Sequence, residues 1–496
     1  MSKMAFWQIR VLASALAFFA SGIVLCAGEP TASEIDQIRM RLESLEQAIH
    51  EASAATSLEN APVFEGLGGD CNFCDAPGGS CSCDVNDAAG WGIAVDDATI
   101  SKATHDIIYD GGWILRPRDP SRVPFELKSE LHSQLRYTLF EADPRTSIDS
   151  IGNTRVIDDR NDFDINRGRL VFSGYAFDPK LKFYVNIDYS TVASNSILPL
   201  LAWTSYDLTE DTRVYFGLGK VPGSWEWQQT SRYTLGADRS LATTFFRPSI
   251  SAGLWLNGKL GDQVRYTAFV GDGLNTLTLR ADELDTELVY SGLSWWEPLG
   301  DFGPGFSDLE CHENLAIRIG HGLTHTRNEG TPDREPGPEE TVIRLTDGTR
   351  LVSPGALQPG ETVDEFDFWL YTAHLGFKRR GVSLSGEYYF RWLRGLEGDL
   401  GGDIDSLFDH GFFAQAGGFV VPKKLELFAR GSYITGEQGD GAEYSGGMNW
   451  YPFGVRGARA TFELTDVQDS PAQQSRTGYV AGGSGLLLRA QLWTFF

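Results

Sequence analysis

Positions 125–140 read FELKSELHSQLRYTLF, and they alternate. Phe125, Leu127, Leu131, Leu135, Tyr137 and Leu139 fall on one face, broken by Ser129 and Ser133. Glu126, Lys128, Glu130, His132, Gln134, Arg136 and Thr138 fall on the other. A period of two predicts a strand with one apolar and one charged side. The pattern returns in KLKFYVNIDY, RVYFGLGK, NLAIRIGHGL, VSLSGEYYFR and KLELFARGSY, with turn-rich stretches between. The longest of these, 326–365, carries a small hairpin signal at Asp347-Gly348.

A soluble sandwich also alternates, but its strands typically run about 5–6 residues. The first segment outruns even the roughly 9–11 residues that cross a bilayer. Its charged face is one a packed interior does not tolerate unpaired. The apolar faces are therefore expected to meet lipid and the polar faces to line water. The last segment, LLLRAQLWTFF, alternates too and ends on Phe496.

The N-terminus fits export. Lys3 and Arg10 flank the start of an apolar run over 11–25, with cleavage expected after Ala27. Cys26 raises a lipoprotein alternative, against which the bulky Leu25 argues. No later apolar run reaches the roughly 20 residues of a membrane helix, so a spanning form must be a closed barrel. Four regions are expected: a signal peptide (1–27), a short coiled-coil helix (28–59), a Gly/Asp/Cys-rich linker (60–124) and an outer-membrane β-barrel (125–496). The helix rests on Ile35, Ile38, Leu42, Leu45 and Ile49, spaced 3, 4, 3, 4. An amphipathic helix packed on its own chain is the alternative. In the linker, Cys71, Cys74, Cys81 and Cys83 suit two disulfides or, as four thiolates, a zinc or iron ion.

Composition sharpens this picture. Gly 56, Trp 13, Tyr 17 and Phe 30 suit many strands, tight turns and aromatic girdles. A formal charge of -25 argues against a nucleic-acid partner. No G-x-S-x-G or H-E-x-x-H occurs and the eight histidines are scattered, so no enzyme and no cofactor is expected.

From residue 125 onward the chain resembles the phosphate-selective porins O and P. The resemblance rests on RGRLVFSGYAFDPKLKFYVNIDY (167–189), VYFGLGKVPGSWEWQQTSRYTLGADRSLATTFF (214–246), SLSGEYYF, GFFAQAGGFV with KKLELFARGSY, GMNWYPF and the closing strand. It implies an all-β, transmembrane antiparallel barrel of about 16 strands, homotrimeric, in a bacterial outer membrane. The stretch from Lys220 to Arg247 resembles the part that dips into the channel. The implied function is passive diffusion of small anions, phosphate or polyphosphate. The alternatives are a general non-selective porin or an envelope-anchoring barrel.

In that family an arginine ladder and constriction lysines set selectivity. Strand parity here puts Arg136, Arg169, Arg213, Arg265, Arg318, Arg391, Arg430, Arg459 and Arg489 on polar faces. Guanidiniums grip phosphate or carboxylate oxygens as a fork. Glu126, Glu130, Asp188, Glu387, Glu426 and Glu463 share those faces, however. The arginines therefore form an anion path or brace the wall as ion pairs. Constriction candidates are Lys220, Arg232, Arg239 and Arg247, beside Trp225, Glu226 and Trp227. Lysine is scarce, which departs from the family's phosphate trap.

Overall fold

The computed structural model describes residues 104–496, apart from 193–195, 280–282, 285, 330–338, 341 and 401–402. The signal, coiled-coil and four-cysteine expectations lie outside the described residues.

Sixteen strands close an antiparallel barrel. We number them β1 (Phe125–Ala142), β2 (Arg160–Ala176), β3 (Asp178–Ser190), β4 (Ser196–Asp207), β5 (Thr212–Lys220) and β6 (Ile250–Leu260). There follow β7 (Val264–Gly271), β8 (Val289–Trp296), β9 (Ala316–Glu329), β10 (Val363–Arg379) and β11 (Val382–Gly398). The circuit ends with β12 (Leu407–Val421), β13 (Leu425–Gly436), β14 (Gly439–Trp450), β15 (Ala458–Gln468) and β16 (Gly485–Phe495). Each strand pairs with its neighbour in the chain, and β16 returns to β1 from Gly485↔Ala142 to Phe495↔His132. Closure leaves no row of unpaired backbone groups, which is what hydrocarbon demands.

Burial follows parity with its usual polarity inverted. On β1 the side chains of His132, Gln134, Arg136 and Thr138 are buried, while Leu135 on the other row is 47% exposed. Across the barrel Phe216, Leu254, Leu323, Leu384, Phe412, Phe462 and Leu492 point outward and are exposed. A core of arginines, acids and amides inside an apolar mantle is stable only if the mantle meets lipid.

A bulge in β2 changes its parity, one of several in the barrel. Between Gln134 and Leu135 the register of β1 against β2 shifts: Leu135 faces Ile165 but Gln134 faces Arg167. Asp164 is buried above the shift, Arg167 and Arg169 below it. A bulge inserts one residue and so exchanges the two faces of the bulged strand.

One end of the barrel carries short turns, such as 380–381 and 422–424. The other carries 143–159, 221–249, 272–288, 330–362 and 469–484. The hairpin expected at Asp347-Gly348 forms: Leu345 N donates to Thr349 O at 2.8 Å, with Gly348 at φ 85°. Within the stretch read as linker, a hairpin of His105–Tyr109 and Trp113–Pro117 pairs with the start of β1.

Candidate functional site

The stretch 221–249 turns into the barrel and is buried over nearly its whole length. Glycine permits its entry: a Cβ on Gly223 would overlap Thr324 Oγ1 on β9. Two short helices follow, α1 (Trp225–Gln228) and α2 (Leu241–Phe246). Each presents its free amides to a carboxylate of the wall. Glu387 on β11 accepts from Trp225 N at 2.7 Å and Glu226 N at 3.1 Å. Glu443 on β14 accepts from Leu241 N at 3.0 Å. Ser224 and Ser240 cap the two helices. Glu226 joins them, accepting from Ser240 N at 3.0 Å and Ser240 Oγ at 2.7 Å. At the short-turn end, Phe302 and Phe306 of the turn 297–315 pack on Trp225, with centroids 5.7 and 4.7 Å away.

On the β1–β5 side of this loop the lumen is basic. Glu339, buried in the connection between β9 and β10, gathers five guanidiniums. Arg167 lies at 2.7 Å, Arg476 at 2.9 Å, Arg169 at 3.1 Å, Arg239 at 3.4 Å and Arg247 at 3.7 Å. Asp238 holds Arg136 at 2.9 Å and Arg167 at 2.7 Å. Asp188 holds Arg169 at 2.9 Å and also Arg476. Six arginines thus share three carboxylates, an excess of three positive charges. Lys220 stands beside them: its Nζ donates to the Trp227 and Gln229 carbonyls at 2.7 and 2.8 Å. Lys220, Arg239 and Arg247 all stand against the Trp227 ring, 4.7, 4.7 and 4.4 Å from its centroid.

Arg247 is the least satisfied of these. It is 4% exposed, and its Nε and Nη2 have no hydrogen-bond partner among the described residues. Burial, and after it the charge of Arg239, pull its guanidinium down to about 9. Burial would raise the Glu339 carboxyl, but Arg167 and Arg476 outweigh it and hold it well below its ordinary range. A cavity of about 120 Å³ opens on the far side of Glu339 and Trp227 from Arg247, which does not line it; Arg169, Lys220, Arg232, Arg239, Glu130 and Glu339 do. At the long-loop mouth a wider depression of about 420 Å³ includes Arg155, Arg344 and Arg350 in its lining.

The opposite wall differs. Glu387 and Glu426, eight strands round the barrel from β3 and β5, are held by hydrogen bonds and have no ion pair among the described residues. The loop therefore separates the basic cluster from a wall where two buried carboxylates, Glu387 and Glu426, are held by hydrogen bonds alone.

The nine arginines picked by parity all lie on the inner side, and most are paired. Arg136 and Arg169 belong to the basic cluster. Arg213 pairs with Asp207. Arg265 and Arg318 share Glu297, at 2.7 and 3.6 Å. Arg391 meets Asp409, its Nε at 2.9 Å. Arg430 bridges Glu443 and Glu463 at 3.0 and 3.1 Å, and Arg489 meets Glu463 at 3.0 Å. Arg459 donates to Thr234 O at 2.6 Å, leaving Nε and Nη2 without partners among the described residues. Of the constriction candidates, Lys220, Arg239 and Arg247 gather at Trp227. Arg232 lies nearer the short-turn end, over Phe495 and 3.7 Å from Glu130. Sequence reasoning missed Arg167, Asp238, Glu339 and Arg476. Arg167 shares a row with Arg169 and was readable; the other three sit on loops without a period.

Residues 145–294 match the family model described as phosphate-selective porin O and P. No curated protein matches by sequence. Among solved structures, the chain is similar to the anion-selective porin from Comamonas acidovorans, at 12% identity and a TM-score of 0.46. That alignment covers 75% of this chain and 100% of the other. OmpT of Vibrio cholerae, in trimer form, aligns at 12% identity and 0.44, covering 74% and 99%. Salmonella typhi OmpF in complex with daunomycin aligns at 12% and 0.46, covering 79% and 100%. The chain is a closed sixteen-strand antiparallel barrel with an apolar mantle, and over residues 145–294 it matches the phosphate-selective porin O and P family model.

Proposed function

We propose that this porin passes small anions, phosphate among them, by passive diffusion along the basic side of the inturned loop. The observation that carries the reading is the excess of cations over carboxylates around Glu339 and Trp227, beside the cavity at Lys220 and Arg239. In a narrow bore with a low-dielectric wall such an excess attracts anions and repels cations. The two unpartnered nitrogens of Arg247, Nε and Nη2, suit an oxyanion in transit. Selectivity on this account comes from the loop cations, while the paired wall arginines hold the lumen together. A homotrimer is part of the same proposal, tested by mass measurement in detergent.

Phosphate added to protein in a planar bilayer should reduce the chloride current, because the tighter binder occupies the shared path. Arg247→Gln should weaken that block by about tenfold, the loss of one charge-assisted hydrogen-bonding pair. Equal block in both forms would remove Arg247 from the path. No block in the native protein would leave a general porin, the reading favoured by the pairing of most wall arginines.

A further inference from the structure

We propose that the hairpin of His105–Tyr109 and Trp113–Pro117 is a lipid-surface anchor, lying in the headgroup region of the periplasmic leaflet. The porin architecture puts the short turns and both ends of the described chain at the periplasm. The hairpin occupies the lane just below the closing strand. Phe496 exchanges hydrogen bonds with Leu131, and two residues further down Trp113 faces Ser129. At the rise of a strand, Trp113 stands roughly 7 Å below that last closing pair.

The register fixes which way the hairpin faces. Leu115 lies opposite Leu127, and Trp113 opposite Ser129. Both partners belong to the outward row of β1. Tyr109 faces Trp113 and Ile107 faces Leu115 within the hairpin. Ile107, Tyr109, Trp113 and Leu115 therefore continue the lipid-facing row. Ile107 is 72% exposed, Tyr109 55% and Trp113 59%. The other face carries two ion pairs and two isoleucines: Arg116 bonds Glu126 at 2.8 Å, Asp106 bonds Arg118 at 2.7 Å, Ile114 is buried and Ile108 is 36% exposed.

Three observations select lipid as the occupant. The apolar row is continuous with the established mantle. The end nearest the barrel carries a Tyr–Trp pair, edge to face at 5.5 Å, and these two residue types favour the membrane interface. Exposed aromatics at the same end, Phe177, Trp296, Trp450 and Phe453, form the girdle that this pair would join. The base is pinned for the task, with the His105 ring bonded to Phe125 O at 3.2 Å.

The full-length protein can be reconstituted in phospholipid vesicles doped with a lipid bearing a diazirine near its headgroup, irradiated, and mapped by mass spectrometry. Adducts are expected on Ile107, Tyr109 and Trp113, as on the girdle residues Phe177 and Trp450, and not on Asp106 or Arg116. Adducts on Phe177 and Trp450 with none on the hairpin would overturn the proposal. So would crosslinks from Trp113 to a second copy that replace the lipid adducts.

Discussion

At the scale of single residues, the lumen uses arginine in two ways. Arg430 sits between Glu443 and Glu463 and also donates to Asp238 O at 2.8 Å. Removing it strands two buried carboxylates, and breaking a buried pair from one side costs about 3–5 kcal/mol. Arg247 shares its one carboxylate with four other arginines. Arg430→Met should therefore lower the unfolding free energy in vesicles by about 3 kcal/mol or more, whereas Arg247→Met should change it by under about 1 kcal/mol. Denaturant titration followed by tryptophan fluorescence checks both. Equal losses would mean that Arg247 braces the wall as Arg430 does. Parity alone could not make this distinction. It told that Arg430 faces inward and that strand acids such as Glu463 share its face, but the loop carboxylates Asp238 and Glu339, which fail to neutralise the cluster, are set by how loops fold.

At the scale of elements, the inturned loop is fastened by the wall rather than by its own helicity. A helix as short as Trp225–Gln228 has no stability of its own. Its orphan amides are satisfied by Glu387, which also accepts from Ser224 Oγ at 3.0 Å and Tyr389 OH at 2.9 Å. Glu387→Ala leaves those donors without an acceptor, at about 1–3 kcal/mol. The loop should then loosen, seen as larger single-channel current and faster proteolysis within 221–249; unchanged current noise and cleavage would show that the aromatic contacts of Trp225 suffice. Sequence alone suggested that 220–247 enters the channel only through resemblance, since no periodicity runs through it. The strands were readable because lipid on one side and water on the other impose a strict two-residue period. The β2 bulge and the inturned 297–315 segment were not, because neither obeys that period.

At the scale of the molecule, a net charge of -25 coexists with a basic passage because selectivity depends on where charge sits. The mantle is the part that membrane residence fixes most tightly. Leu135 is outward and near mid-height on β1. Leu135→Arg should destabilise the folded barrel in vesicles by about 2–4 kcal/mol, measured by the same denaturant titration; no change would mean that this row does not face hydrocarbon.

The anion path itself is tested most directly by the reversal potential of the native protein in a planar bilayer under a potassium chloride gradient. The account predicts the sign of an anion-selective pore, with the potential moving toward the cation side in Arg247→Glu. A native potential of the cation-selective sign, or one of zero, would contradict it.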